Sequence, residues 1–473
     1  MKILSCLICA GCLLAGSIQA QSPVTLTIDA KVAGAAIPDD FIGLSFGMRA
    51  LLADKAGAHF FSATNAPLVT LFQNVGIRHL RMGGTTVESP VTTAIPDKTD
   101  IDSFFGFVQA AGVKQVIYSL RLLQTNSAQQ YPATNAAIAK YIWSHYQPLL
   151  ECFALGNEPD LQRVFFQDEI IRNFTTYLNQ WRKFAAAITN AVPAAKFAGP
   201  DAGSGNINWT VNFAKAQKDS GIIKEITEHY YAGGKGRDVE PGQGIETMLS
   251  PDWIVSYQKL YEKMAAPVLS NGLPFRFTEA NDHYSGGIPG ASDTFAGALW
   301  ALDFLHWWAA HDARGVDFHN TQWVVSDVIT PDEKGRLKIN PKGYGLKAFD
   351  LASHGSMMPV TISNPDGVNL TAYAVRGAGN IFVTIINKDH GTGARAVDVT
   401  IATNGISQRA ETMFLISHEG GVAAKTGVSL GGATIGSDGP WLGKWTPLAP
   451  DKAGQCVVKV AAASAAIVKI TTK

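Results

Sequence analysis

Glu151-Cys152-Phe153-Ala154-Leu155 is a short apolar run, and Gly156-Asn157-Glu158-Pro159-Asp160 follows it directly. The run is too short for a helix and is closed by a glycine and a proline, so it reads as a buried strand ending in an acidic turn. Helix-length amphipathic segments flank it, Ala133–Tyr146 before and Asp168–Asn190 after. The same alternation extends outward in both directions. Upstream lie the strand candidates Phe41–Phe46, Arg78–Met82 and Gln115–Leu120; downstream lie Lys196–Gly199, Glu225–Tyr230, Phe275–Thr278 and Gly315–Phe318. Further helical segments are Asp102–Ala111, Ser250–Ala265 and Asp293–His311. Repeated βα units imply parallel strands, and eight of them close into a (β/α)8 TIM barrel, an α/β fold with its active site at the C-terminal strand ends.

After Asp350 the pattern changes. Val368–Val375, Asn380–Asn387, Ala396–Ile401, Arg409–Ile416, Gln455–Val460 and Ala466–Ile470 are short strands separated by Gly, Asn, Asp and Ser turns, with no long helix. This predicts an accessory antiparallel β-sandwich. Val24–Asp29 precedes the barrel and is expected to join it. The expected division is a signal peptide at 1–20, a joining strand within 21–40, the barrel at 41–350 and the sandwich at 351–473.

The chain has 473 residues, 46% of them hydrophobic and 16% charged, enough for a large core and incompatible with whole-chain disorder. Lys+Arg and Asp+Glu each number 39, with no basic tract, which argues against a nucleic-acid partner. No paired Cys-x-x-Cys pattern or His cluster signals a zinc site, and no metal is expected. Lys2, the apolar run Ile3–Ile18 and the sequence Gln19-Ala20-Gln21 form a signal peptide with cleavage expected after Ala20. The run is shorter than the ~20 apolar residues that span a bilayer. A secreted or periplasmic protein without a membrane span follows. Cys6, Cys9 and Cys12 leave with the signal; Cys152 and Cys456 remain and are not expected to pair.

The chemistry gathers at the ends of the fourth and seventh strands. The fourth ends at Asn157-Glu158-Pro159 and the seventh at Thr278-Glu279-Ala280-Asn281. Two carboxyl groups facing across a barrel mouth can hydrolyse an acetal, one protonating the departing oxygen and the other attacking the anomeric carbon. The Asn157 amide is placed to bind a sugar 2-hydroxyl. His229-Tyr230-Tyr231 ends the sixth strand, from where a Tyr hydroxyl could donate to Glu279 and hold it ionised, against a reading as aromatic packing. Leu80-Arg81-Met82-Gly83-Gly84-Thr85 ends the second. There Arg81 either bridges the carboxylates or braces the mouth, the glycines let backbone approach substrate, and Thr85 is a candidate contact. His319 and Trp323 follow the eighth strand as a candidate sugar-facing wall; Trp323 equally suits the core.

These residues resemble clan A glycoside hydrolases, and more closely glycoside hydrolase family 79, the heparanase and β-glucuronidase family. The likeness lies in Asn157-Glu158-Pro159, in the His-Tyr-Tyr of strand six, and in Thr278-Glu279-Ala280-Asn281-Asp282-His283-Tyr284-Ser285-Gly286-Gly287 continuing to Ser292-Asp293-Thr294-Phe295-Ala296. It extends to Ile385-Ile386-Asn387-Lys388-Asp389-His390 in the β-domain. The resemblance implies Glu158 as acid/base, Glu279 as nucleophile, Asn157 as sugar ligand and Tyr231 as the nucleophile's partner. It also implies recognition of a uronate by the Tyr284 hydroxyl and the backbone N–H groups of Ser285 and Gly286, an anion nest that needs no cationic side chain. The activity implied is a retaining β-glucuronidase acting on a uronic-acid-containing carbohydrate with no cofactor.

Two departures bear on the sugar. Family members carry a hydroxyl-binding carboxylate where this chain has Gly47, a change expected to open room for a substituent such as a 4-O-methyl group. The second carboxylate-binding Tyr that the family often carries has no evident match in Phe318-His319-Asn320-Thr321-Gln322-Trp323. A neutral-sugar β-glucosidase, β-xylosidase or β-galactosidase is the alternative on the same scaffold. A non-catalytic carbohydrate-binding protein is disfavoured by the two intact Glu residues.

Overall fold

A computed structural model describes residues 22–89, 93–123, 131–161, 171–203, 205–403, 409–449 and 455–472. The signal segment 1–20 with its three cysteines lies outside the described residues, as does the predicted helix start at Asp168. Strand β1 (Val24–Ile28) precedes the barrel strands β2 (Ile42–Gly47), β3 (His79–Gly83), β4 (Gln115–Leu120) and β5 (Leu150–Leu155). These continue with β6 (Phe197–Ala202), β7 (Ile223–Tyr231), β8 (Phe275–Asn281) and β9 (Ala313–His319). Strands β2 to β9 pair in parallel, in chain order, and β9 returns to β2 with Asp317 opposite Gly43, closing the TIM barrel.

Several strands run further toward their C-terminal ends than the apolar pattern suggests. β8 continues through Glu279 to Asn281, and β6 through Pro200 and Asp201 to Ala202. Polar residues end the hydrophobic signal, but pairing with neighbouring strands carries the extended backbone onward. Glu279 and Asp201 therefore project from strand rather than from loops.

The surrounding helices follow from local signals. Lys98–Ala111 starts at a reciprocal Asp97–Asp100 capping box, ends on left-handed Gly112, and buries Ile101, Phe104, Phe105 and Val108. The predicted Ser250–Ala265 helix is instead two α-segments, Trp253–Leu260 and Ala266–Ser270, joined by a π-turn. Phe295–Ala309 is buried on every side, which accounts for its three tryptophans.

Beyond the barrel, one sheet joins Val360–Ser363, β1, Val397–Ala402 and Cys456–Val460 in that order. A second joins Ser356–Met358, Leu370–Gly377, Asn380–Asn387, Ser464–Thr471, Arg409–Ser417 and Val428–Leu430. The expected antiparallel sandwich is present, with one parallel pairing in it. β1 is antiparallel to Val360–Ser363 but parallel to Val397–Ala402. A strand inserted between two that run in opposite directions must be parallel to one of them. The short strands Ser356–Met358, Val360–Ser363 and Val428–Leu430 carry too few alternating residues to stand out in the sequence. Asp303 of the buried helix ties the sandwich to the barrel, accepting from the Thr371 and Tyr373 hydroxyls at 2.8 and 2.7 Å and pairing with Lys388 at 2.6 Å. Cys152 and Cys456 sit in different hydrophobic cores, and no disulfide joins them.

Candidate active site

At the end of β5, Gly156 turns the chain at φ 87° and Glu158 follows in a left-handed conformation at φ 45°. A non-glycine residue there is strained, and such strain concentrates at functional positions. Its backbone is held on both sides: the Glu158 N–H donates to the Asp201 carbonyl at 2.8 Å, and Leu161 N–H donates to the Glu158 carbonyl at 2.9 Å. Glu279 stands in β8 opposite His229 of β7, where the register with both neighbouring strands shifts.

The fold brings the two carboxylates together. An oxygen of Glu158, an oxygen of Glu279 and a ring nitrogen of His229 all lie within 4.8 Å of one another. Buried Arg81 organises them. Its Nη1 donates to Glu279 Oε2 at 3.0 Å and to Ser45 Oγ at 3.2 Å. Its Nη2 donates to Asn157 Oδ1 and to Asp201 Oδ2, each at 2.8 Å. Arg81 thus both engages a carboxylate and braces the mouth, the two roles its sequence position left open. By taking Asn157 Oδ1, it turns the amide NH2 of that residue the other way. Tyr231 donates its hydroxyl to Glu279 Oε1 at 2.7 Å, and His319 Nδ1 lies 3.4 Å from Glu279 Oε2. His229 Nδ1 meets Glu158 Oε1 at 3.1 Å.

The electrostatics favour the charged form of Glu279. Burial pushes the Glu279 carboxyl up, but the His319 and His229 rings, the Arg81 guanidinium and the Tyr231 hydroxyl outweigh it and hold it well below the usual carboxylate range. Burial and the Glu279 charge push the Tyr231 phenol well above its ordinary value, so it stays a donor. Burial pulls the His229 ring down, while Glu279 and Glu158 lift it above its ordinary value.

The other expected contacts are distributed around this centre. The Tyr284 ring meets Tyr231 edge-on at 6.2 Å between centroids, with Tyr284 42% exposed. Ser285, Gly286 and Gly287 are consecutive left-handed residues at φ 64°, 90° and 85°. Among the described residues, none of their three N–H groups donates to a protein acceptor. The segment 232–236 anchors this turn: Tyr284 N–H donates to the Gly234 carbonyl at 2.9 Å, and Gly236 N–H to the Tyr284 carbonyl at 3.0 Å. Thr85 is exposed in a 3-10 turn, and among the described residues no hydrogen bond ties it to the cluster. Trp323 is 78% exposed, so the core alternative for it is wrong. Asp327 holds its loop by accepting from the N–H groups of Thr321, Trp323 and Val324. Gly47 lies against Thr86, whose hydroxyl would be 2.9 Å from a Cβ placed there.

Sequence reasoning missed Asp201 and underweighted His229. The available signal for Asp201 was an acidic residue at the C-terminal end of a barrel strand, in Gly199-Pro200-Asp201. Glu158, His229 and Glu279 form one grouping with metal-ligand spacing, and Asp40, His79 and Glu151 form another. In each, a guanidinium already faces the carboxylates: Arg81 at Glu279, and Arg276 at Asp40 at 3.4 Å. A cation would have to compete with that charge.

No protein-family model matches the chain. Over 194 residues it is 29% identical to a β-glucuronidase of Aspergillus niger, covering 36% of this chain and 34% of that protein. Over 190 residues it is 23% identical to heparanase-like protein 1 of Arabidopsis thaliana, covering 39% of this chain and 33% of that protein. The chain is thus similar over part of its length to a β-glucuronidase and to a heparanase-like protein, in line with the resemblance to family 79. It spans about a third of the length of these curated relatives, at 34% and 33%. The fold is matched along nearly the whole chain by a 4-O-α-L-rhamnosyl-β-D-glucuronidase structure from Fusarium oxysporum 12S. That comparison has a TM-score of 0.71 and 17% identity, and covers 94% of this chain and 100% of that one. A family 51 arabinofuranosidase from Xanthomonas axonopodis pv. citri shares the fold at a TM-score of 0.67 and 14% identity, covering 95% of this chain and 100% of that one.

Proposed function

We propose that this protein is an exported, retaining β-glucuronidase that hydrolyses β-glucuronides by double displacement. The observation that carries the reading is the pair of carboxylate oxygens within 4.8 Å, one just past the end of β5 and one on β8, with Arg81, Tyr231 and His319 all directed at Glu279. Retention calls for carboxyl groups ~5–5.5 Å apart; inversion calls for ~6.5–9.5 Å to admit a water. Glu158 gives its proton to the glycosidic oxygen as the bond to the anomeric carbon breaks. Glu279, kept ionised by its cationic surroundings, attacks that carbon from the opposite face and forms a glycosyl ester. Glu158 then takes a proton from water, whose oxygen displaces Glu279 and releases the sugar. The two carboxyl groups complete the cycle, and the proposal calls on no cofactor.

Selectivity for a uronate rests on the unpaired N–H groups of Ser285, Gly286 and Gly287 beside the exposed Tyr284 hydroxyl. Successive N–H groups in such a turn attract an anion. Acceptance of a 4-O-methylated glucuronide is an extension of this reading; a strong preference for the plain sugar removes it. Among the described residues no helix is long and apolar enough to cross a membrane. Export through residues 1–20 is part of the proposal, and a mature N-terminus at Gln21 tests it.

The deciding experiment is a panel of aryl β-glycosides followed by proton NMR. The expected result is turnover of the β-glucuronide with the β-anomer released first. Initial release of the α-anomer overturns the mechanism. Turnover of glucosides, xylosides or galactosides without glucuronides overturns the sugar.

A further inference from the structure

We infer that Asp201 is the positioning residue that joins the two halves of this active site, setting both the spacing of Glu158 and Glu279 and the share of the Arg81 charge that Glu279 feels. The inference rests on the roles proposed above for those two residues.

Asp201 lies in β6, beside the strand that leads to Glu158. The β5–β6 register runs through Phe153–Phe197 and Ala154–Ala198, and the Glu158 N–H joins the Asp201 carbonyl further along, at the mouth. The main chain of Asp201 therefore holds the main chain of Glu158, in the left-handed turn that aims it. The side chain reaches the other way. Asp201 Oδ2 accepts from Arg81 Nη2 at 2.8 Å, and Oδ1 accepts from the Thr278 hydroxyl at 2.6 Å. Thr278 is the residue before Glu279, and Arg81 holds Glu279 and Asn157 directly. One aspartate thus grips β5 through its carbonyl, and β3 and β8 through its carboxylate. Misplacing a reacting group by about 1 Å costs on the order of a hundredfold in rate.

Its charge matters separately. Arg81 is fully buried between two carboxylates, Asp201 and Glu279. With Asp201 neutral, the guanidinium charge would fall on Glu279 alone. A tighter ion pair makes a poorer nucleophile, because Glu279 must loosen from Arg81 to bond carbon. Removal of one negative charge also makes the remaining protons of the site easier to lose.

Local backbone geometry makes the test clean. Asp201 is left-handed at φ 55°, a conformation that Asn adopts as readily as Asp. Asp201→Asn keeps the shape, can point Oδ1 at Arg81 and can donate its amide to the Thr278 oxygen, so that only charge is removed. Thr278→Val removes the Oδ1 bond and leaves the charge. Both variants are assayed as the full chain on an aryl β-glucuronide for kcat, KM, pH profile and thermal midpoint. Asp201→Asn is expected to lower kcat about a hundredfold with KM little changed and to move the alkaline limb to lower pH by about half a unit or more. Thr278→Val is expected to lower kcat about tenfold with the limbs in place. A folded Asp201→Asn with wild-type kcat and wild-type limbs overturns the inference. If Asp201→Asn does not fold, Thr278→Val decides, and wild-type kcat there is equally fatal. An inert wild-type protein removes the functional reading and the inference together; an active wild type with unimpaired variants removes the inference alone.

Discussion

Raising the pH from 6.5 toward 9.5 should strip the protein of about 3 kcal/mol of stability through one residue, His79. His79 begins β3, two positions before Arg81, and is fully buried in the N-terminal half of the barrel. Both ring nitrogens face carboxylates: Nδ1 lies 2.7 Å from Asp317 and Nε2 lies 3.1 Å from Glu151. Arg276 shares the cluster, 3.4 Å from both Asp317 and Asp40 and 3.2 Å from Glu225. Burial and the Arg276 charge push the His79 ring toward neutrality, but Asp317 and Glu151 prevail and raise its pKa from 6.5 to about 9. A shift of about 2.5 units is worth about 3 kcal/mol at 1.36 kcal/mol per unit. The folded state holds this proton more tightly than the unfolded chain. The stabilisation is therefore complete below pH 6.5 and lost as pH rises through about 9. Glu225, pushed up by burial and by the Glu151 charge, also weakens the fold as pH rises, so the contribution of His79 must be isolated. Urea unfolding followed by tryptophan fluorescence at pH 6.5, 7.5, 8.5 and 9.5 measures the sum, and His79→Gln subtracts the rest. That variant should be weaker at pH 6.5 by about 3–5 kcal/mol, because Glu151 and Asp317 each lose a charged partner in the interior, and its alkaline slope should be much shallower. A flat wild-type profile, or an undiminished slope in His79→Gln, refutes the reasoning.

Glu279→Ala should abolish turnover of an aryl β-glucuronide while the cooperative unfolding transition persists; normal turnover would remove Glu279 as nucleophile. Glu158→Ala should slow alkyl glucuronides far more than those with activated aryl leaving groups, since only the former need a proton donor; equal losses would count against the acid role. Tyr231→Phe deletes a 2.7 Å hydrogen bond to the Glu279 carboxylate. A bond to a charged group contributes about 1.5–3 kcal/mol, so kcat/KM should fall about ten- to a hundredfold, and an unchanged value would mean the hydroxyl does not orient the nucleophile.

The legible parts of this chain are those with a one-dimensional signature. Val116, Tyr118 and Leu120, or Phe153 and Leu155, announce buried strands because apolar side chains must leave water wherever the strand finally sits. Glu158 and Glu279 were found for the same reason: each interrupts such a run at a position that a barrel turns toward its mouth. Asp201 was not found, because Pro200-Asp201 resembles a turn until β6 is paired on both sides. Trp323 was ambiguous because a tryptophan suits a core or a surface wall, and only the Asp327-anchored loop settles it outside.

The sequence alone determined the alternation that makes a barrel, the change to β-structure after Asp350, and the two strands that bear the acidic pair, since hydrophobic period and turn chemistry are written residue by residue. Only the tertiary structure decided that Arg81 of β3 lies between Glu279 of β8 and Asp201 of β6, or that His79 is gripped by Asp317 and Glu151. A buried charge needs a counter-charge, but nothing along the chain names which distant one it will be; closure of the barrel, with Asp317 of β9 brought against Gly43 of β2, makes that choice.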